Sequence, residues 1–233
     1  HIVMHATLSE VVRQEEDSGI LWNATKVRQM ADNEYAEELP KVCFRGFDDI
    51  RNVPGNELIE ELASSYSRAG LDDTIVITRS NKLAIRYNNG IRNMVLGNED
   101  ELCSGDRLMI VKNNYYWTEK EKLPLPFIAN GDRVKVERVR NIRELYGFRF
   151  ADVTMSFPDY DNIELTATVN LNTLRSEAPA LTREESEQLY NKVMEDYQHI
   201  PLKADRLKAL RQDIYYNALQ VKYAYAVTCH KAQ

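Results

Sequence analysis

Four stretches of this 233-residue chain concentrate side chains capable of chemistry. Leu8-Ser-Glu-Val-Val-Arg-Gln14 sets an arginine and a glutamine directly behind an apolar pair. An arginine so placed can reach a phosphate and stabilise the charge that develops in phosphoryl transfer. Thr78-Arg-Ser-Asn81 closes one apolar run, and Thr228-Cys-His-Lys-Ala-Gln233 closes another. The carboxyl ends of strands are where open α/β sheets bind ligands, and the helix N-terminus that follows attracts anions. Lysine, histidine and glutamine beside an apolar strand are costly to bury unless paired, so the last stretch is expected to face a cleft. The fourth stretch runs from Arg133 to Arg149. It holds six bases (Arg133, Lys135, Arg138, Arg140, Arg143, Arg149) against two acids (Glu137, Glu144), a local +4 in a chain of net charge −6. Affinity for phosphates is mostly electrostatic and local, so the acidic total does not exclude a nucleic-acid partner.

Each stretch alone has a plainer meaning. Arg13-Gln14 is also what the surface of a helix turn carries, and Thr78-Arg-Ser-Asn81 is also a helix cap without a ligand. The commoner catalytic patterns are missing from these 233 residues. There is no GxxxxGK[ST] phosphate loop, GxSxG elbow or HExxH, and no metal-spaced His/Cys/Asp cluster. His1, His5, His199 and His230 are scattered, and Asp48-Asp49 and Glu60-Glu61 fall where solvated loop or helix faces are expected. Cys43, Cys103 and Cys229 are widely spaced with no CxxC, which fits free thiols in a reducing cytosol. No apolar run reaches the roughly 18–20 residues of a membrane span, and no charged-then-apolar leader opens the sequence. A start at His1 without an initiator methionine reads as a segment of a longer chain.

The elements that must position these stretches follow from periodicity. Ser18 can cap a helix with Ile20, Leu21, Ala24, Val27 and Met30 at helical spacing. KVCFRGF (41–47) is a short strand candidate. A helix follows Pro54 and stops at Gly70, DTIVITRS (73–80) reads as a strand buried on both faces, and NKLAIRYNNGIRNMVLG reads as a helix. Strand and helix in alternation predict a parallel α/β sheet. At Gly105 the pattern changes to period two, with strands opening at Gly105-Asp106 and Gly131-Asp132. That predicts a small antiparallel barrel or sandwich. Thr182 and Glu185 form a capping box ahead of a helix, a second helical stretch covers 202–217, and LQVKYAYAVT is expected to return to the first sheet.

Taken together, LSEVVRQEEDSGILWNA, VITRSNKLAIRYNNGIR, GDRLMIVKNNY…IANGD and VKYAYAVTCHKAQ resemble the carboxyl-terminal part of RecD-like superfamily-one DNA helicases, the family of the exodeoxyribonuclease V alpha subunit. The most specific match is Tyr-Ala-x-Thr-x-His-Lys-x-Gln at the end of the chain. The resemblance implies an α/β fold: an incomplete second RecA-like domain of a P-loop NTPase, a parallel sheet with helices on both faces, interrupted by a small antiparallel β-barrel of Src-homology type. It divides the chain into 1–104 (first part of that domain), 105–180 (inserted barrel), 181–218 (helical connection, with no role assigned to its first helix) and 219–233 (return strand and truncated motif).

The same resemblance implies the roles. Arg13 would reach the γ-phosphate of ATP, with Gln14 orienting it. Thr78 and Asn81 would lie near single-stranded DNA, and Thr228, His230, Lys231 and Gln233 would couple the DNA track to the ATP cleft. Arg133, Lys135, Arg138 and Arg140 would follow the DNA backbone across the barrel, with Tyr115, Tyr116, Trp117, Tyr146 and Phe148 as stacking partners. Those aromatics serve equally well as barrel core. ATP and Mg²⁺ belong to the full-length parent; none is expected in this chain, which lacks the phosphate loop, the Mg²⁺ motif and the downstream arginine motif and should not hydrolyse ATP alone. Lys231 and Gln233 are then expected to be idle. The implied partners are single-stranded DNA, a preceding RecA-like domain and the subunits of a nuclease–helicase, in the cytoplasm and away from membranes, with 5′→3′ polarity. A competing expectation is a non-catalytic module whose barrel takes a peptide or partner subunit.

Overall fold

Ser18 starts the first helix as its position predicts. α1 (Gly19–Ala31) begins directly behind it, and the Ser18 hydroxyl oxygen accepts from the Leu21 amide at 3.2 Å. The computed structural model describes residues 18–32 and 39–232, in two compact units, one ending at Glu61 and the other beginning at Leu62. Arg13, Gln14 and Gln233 lie outside the described residues.

In the first unit Asp49 completes the start of α1. Its carboxylate accepts from the Ser18 hydroxyl at 2.7 Å and from the amides of Gly19 and Ile20 at 2.8 and 3.2 Å. Orphan N–H groups and the positive end of a helix both favour such an anion. The Ser18 hydrogen bond, with those amides, holds the Asp49 carboxyl below its usual range. The 41–47 stretch, expected as a strand, has no strand neighbour among the described residues. The Asn23 side chain takes its place, donating to the Cys43 carbonyl at 2.8 Å and accepting from the Cys43 amide at 2.7 Å. α2 (Leu58–Ala69) stops at Gly70, whose φ of +93° a side chain would resist.

The second unit is built on a closed barrel. β2 (Arg107–Ile110), β3 (Arg133–Leu145), β4 (Phe148–Phe157), β5 (Ile163–Asn170) and β6 (Leu219–Tyr223) pair in that order, and β6 closes back onto β2. Contacts are antiparallel except for the short parallel pair β5–β6. Gly105 and Gly131 turn the chain into β2 and β3 at φ of +89° and +112°, where glycine is free of strain. Leu108, Ile110, Val134, Val136, Val153, Met155, Leu165, Ala167, Val169 and Val221 share the main buried cluster. Their alternation along each strand places them inside.

The RecA-like sheet with helices on both faces does not form. Among the described residues the parallel sheet outside the barrel is a pair of three-residue strands, β1 (Val76–Thr78) and β7 (Ala226–Thr228). α3 (Asn81–Gly90) packs on it and continues as a π-helical turn over Ile91–Val95. Ile75 and Ile77 remain 39% and 58% exposed, so the apolar run that read as a doubly buried strand is covered on one face. The expected return strand is split. Its first five residues are the barrel's β6, and only Ala226–Thr228 reach β1.

α5 (Asn172–Arg175) follows β5, and α6 (Arg183–Asp196) opens on the capping box, with both Thr182–Glu185 bonds present. α7 (Lys203–Arg211) follows. Phe148 and Phe150 point out of the barrel, because Ala151, Val153 and Met155 take the inward positions of β4. Leu189, Val193 and Leu210 of α6 and α7 cover them. The helix for which the sequence offered no role is therefore a roof over two outward phenylalanines. No helix among the described residues is long and apolar enough to cross a membrane.

Candidate nucleic-acid interface

Two of the four stretches meet at one edge. Thr78 and Thr228 are register partners at the carboxyl end of the β1–β7 pair. The Thr78 hydroxyl is committed inside, donating to the carbonyls of Ser80 and Val227 at 3.1 and 3.2 Å, and the residue is buried. Ser80 caps α3 through its bond to the Leu83 amide. Asn81, Thr228 and Lys231 line a common cavity of about 50 Å³ with Asn88 and Lys222. His230 is exposed outside that lining, its Nδ1 3.5 Å from the Cys229 Sγ. Lys231, expected to be idle, donates to the Asn130 side chain in the turn that enters β3.

Two residues of this edge were not foreseen. Asn88, buried on α3, donates to the carbonyls of Tyr223 and Ala226 at 3.2 and 2.8 Å and accepts from the Ala226 amide at 2.8 Å. It pins the crossing from β6 to β7. Lys222 donates to the carbonyls of Thr173 and Ser176 at 3.0 and 2.5 Å. Burial without a carboxylate partner lowers its pKa to about 8. A lone lysine within LQVKYAYAV was the available signal for Lys222. Asn88 gave none, since its partners lie more than a hundred residues away.

The basic stretch separates once partners are assigned. Arg133 sits 3.9 Å from Asp159, Lys135 3.0 Å from Glu137, and Arg149 2.6 Å from Glu101. Arg143 grips Asp152 with two nitrogens at 2.9 and 2.7 Å and donates to the Tyr215 hydroxyl at 3.0 Å. The side chains of Arg138 and Arg140 are exposed and make no hydrogen bond or ion pair among the described residues.

A β-bulge sets their direction. Val136 pairs with Met155, and Arg138 already pairs with Thr154, so Glu137 is an extra residue in β3. Strict alternation from Val134 and Val136 would send Arg138 and Arg140 into the barrel. The bulge instead turns Val139 inward against Val153 and both arginines outward beside Thr154 and Asp152. They stand ~6.7 Å apart along the strand. Arg133 and Lys135, also expected to contact a backbone, lie among carboxylates, and Asp72 is held below the usual range by Arg107 first, with Arg133 and Lys135 adding to it.

The five aromatic candidates part in the same way. Phe148 and Trp117 are 2% and 3% exposed. Phe148 lies beneath the α6–α7 roof, and Trp117 donates its indole N–H to the Asn217 carbonyl at 2.9 Å. Tyr116 donates to the Gln212 carbonyl at 2.9 Å, and Tyr146 donates to Asp196. Tyr115 alone of the five is exposed, at 56%, its ring 5.1 Å from that of Phe127 at 32°. Phe127 was not foreseen.

The Thr78 hydroxyl and the Lys231 amino group are committed to protein partners, and no group of three or more His, Cys, Asp or Glu among the described residues could hold a metal ion. Compared with models of protein families and with curated proteins, the chain has no match.

Proposed function

We propose that this chain is a single-stranded-DNA-binding part of a RecD-like DNA helicase, which follows the DNA backbone and leaves ATP hydrolysis to another domain of the parent. The observation that carries the reading is Arg138 and Arg140. They are two guanidinium groups without a partner among the described residues, side by side on the outer face of β3, on a surface where the neighbouring bases lie beside carboxylates. Thr154 and Thr166, hydroxyl to hydroxyl at 2.9 Å, add polar donors to the same face. An exposed guanidinium is suited to phosphate and adds affinity without reading sequence. Such a module belongs in the cytoplasm, which the three free thiols of Cys43, Cys103 and Cys229 also fit.

The test is binding of the full chain to a fluorescent oligothymidylate across a salt series. Binding should be independent of sequence and weaken as salt rises. Charge reversal at both arginines (R138E/R140E) should weaken it and lower the salt slope by about 1.4, at ~0.7 per single-strand phosphate contact. Binding unaffected by salt and by the double variant would sink the reading. Capture of a proline-rich peptide with no DNA affinity would favour the peptide module.

A further inference from the structure

We infer that Tyr115 and Phe127 form a seat on which one base of a bound single strand stacks. The inference rests on the DNA-binding reading above and adds a contact to the bases, which the arginine face does not supply.

The seat follows from how three consecutive aromatics are used. Tyr116 and Trp117 spend their polar atoms on the carbonyls of Gln212 and Asn217, and both pack against the barrel cluster. Tyr115, next to them, has no hydrogen-bond partner for its hydroxyl among the described residues and keeps more than half its surface in water. Its position is nonetheless fixed. Asn114 and Ile128 form an antiparallel bridge with N–H···O distances of 2.9 and 2.8 Å. Residues 115 and 127 directly follow and precede that bridge on its two segments, which brings their rings to 5.1 Å. Two rings locked together in this way form a platform that loses little freedom when a planar group lands on it.

The surroundings point to a base of a polyanion. On the other side of the bridge the Asn130 amide donates to the Asn113 side chain at 2.7 Å, and Lys231 reaches the Asn130 side chain. One ammonium group is thus tied two residues from the bridge on the Ile128 side, and Lys112 is exposed three residues before Tyr115. Glu119 and Glu121 are the acids of α4 (Tyr116–Glu121), the helix that follows. An exposed aromatic pair suits a stacked base, because every base has a π-face.

The experiment compares two probes of equal length, an oligothymidylate and an abasic oligonucleotide, on the full chain. Tyr115→Ala should weaken oligothymidylate binding on the order of tenfold and leave abasic binding unchanged. Tyr115→Phe, which keeps the ring, should restore the wild-type value. Because Tyr115 is exposed and its side chain makes no hydrogen bond among the described residues, these variants should fold, which circular dichroism checks. If Tyr115→Ala binds both probes like the wild type, while R138E/R140E weakens both, the seat is wrong and the backbone reading stands. If the wild type binds neither probe, both are wrong. If Tyr115→Ala abolishes capture of a proline-rich peptide and leaves DNA binding intact, the seat belongs to a peptide and the inference is overturned.

Discussion

Arg92 and Asp106 meet in the interior as a two-pronged ion pair. The guanidinium Nε and Nη2 each lie 2.9 Å from a carboxylate oxygen, with the side chains 5% and 0% exposed. Asp106 also accepts from the Tyr225 hydroxyl at 2.8 Å and from the Cys103 amide at 2.9 Å, and Arg92 lies 4.4 Å from the Tyr223 ring. The π-helical turn that carries Arg92 is thereby fastened to the mouth of the barrel. Removing one partner strands a buried charge, so Arg92→Met or Asp106→Ala should each cost about 3–5 kcal/mol. The paired change Arg92→Met with Asp106→Ala should cost less than the sum of the two single changes. Urea unfolding of the four proteins measures this, and strict additivity would argue against a coupled pair.

Lys222 predicts a pH dependence with a definite sign. Its folded-state pKa is about 8 against an ordinary 10.5. Below pH 8 the lysine is protonated in both states. Between 8 and 10.5 the unfolded chain holds a proton that the folded chain has lost, so stability rises with pH. With part of the side chain solvated, the rise should be on the order of 1–2 kcal/mol. Tyr66 and Tyr223 act the other way, since burial pushes both up to about 12. The unfolded chain ionises its tyrosines first, and their stability is lost as pH climbs from 10 toward 12. Urea midpoints should therefore peak at about pH 9–10, and Lys222→Met should flatten the rising limb. An unchanged rise in that variant would assign it elsewhere.

The bulge in β3 yields an unusual deletion. Because Glu137 is the extra residue, removing it leaves Val136 and Val139 inward and Arg138 and Arg140 outward. The loss is its bonds to Ser156, Lys135 and the Ser104 hydroxyl, and the cost should stay below about 2 kcal/mol. Removing Lys135, two positions away, puts Val134 and Val136 on opposite faces and should abolish the cooperative transition. Thermal melts followed by circular dichroism distinguish the two deletions.

Gly19 is required by space. A Cβ there would come within 2.5 Å of Ile50 and 2.6 Å of Phe47. Gly19→Ala should destabilise the first unit by about 1–3 kcal/mol. Trp22, 5.9 Å from Phe47, reports the loss by fluorescence in a Trp117→Phe background. An unshifted transition would mean that the loop carrying Phe47 and Ile50 yields freely.

Features set by neighbours in sequence were legible in advance. Ser18, Thr182 with Glu185, and the glycines at 105 and 131 act through residues a few positions away, and they formed as expected. Features set by distant partners were not. Alternation locates the barrel strands but does not count an unpaired residue, so the direction of Arg138 and Arg140 was hidden. The apolar run 73–80 resembles a strand of a large sheet because burial on one face and on two look alike over a few residues. LQVKYAYAVT reads as one strand because nothing local marks the point where its hydrogen-bond partner changes from β2 to β1. Thr78 illustrates the same limit at the site. Its place at a strand end was readable, but the bond that commits its hydroxyl reaches 149 positions along the chain.

That change of partner has a consequence for modularity. The barrel's fifth stave, Leu219–Tyr223, arrives after α6 and α7 and runs within three residues into the strand beside β1. A piece cut at 105 and 180 would therefore be a sheet with two raw edges, along β2 and β5, and raw edges invite pairing between molecules. The barrel is no cassette that can be lifted out by two cuts. It was completed, and can only be inherited, together with the strand that carries Thr228 and Lys231.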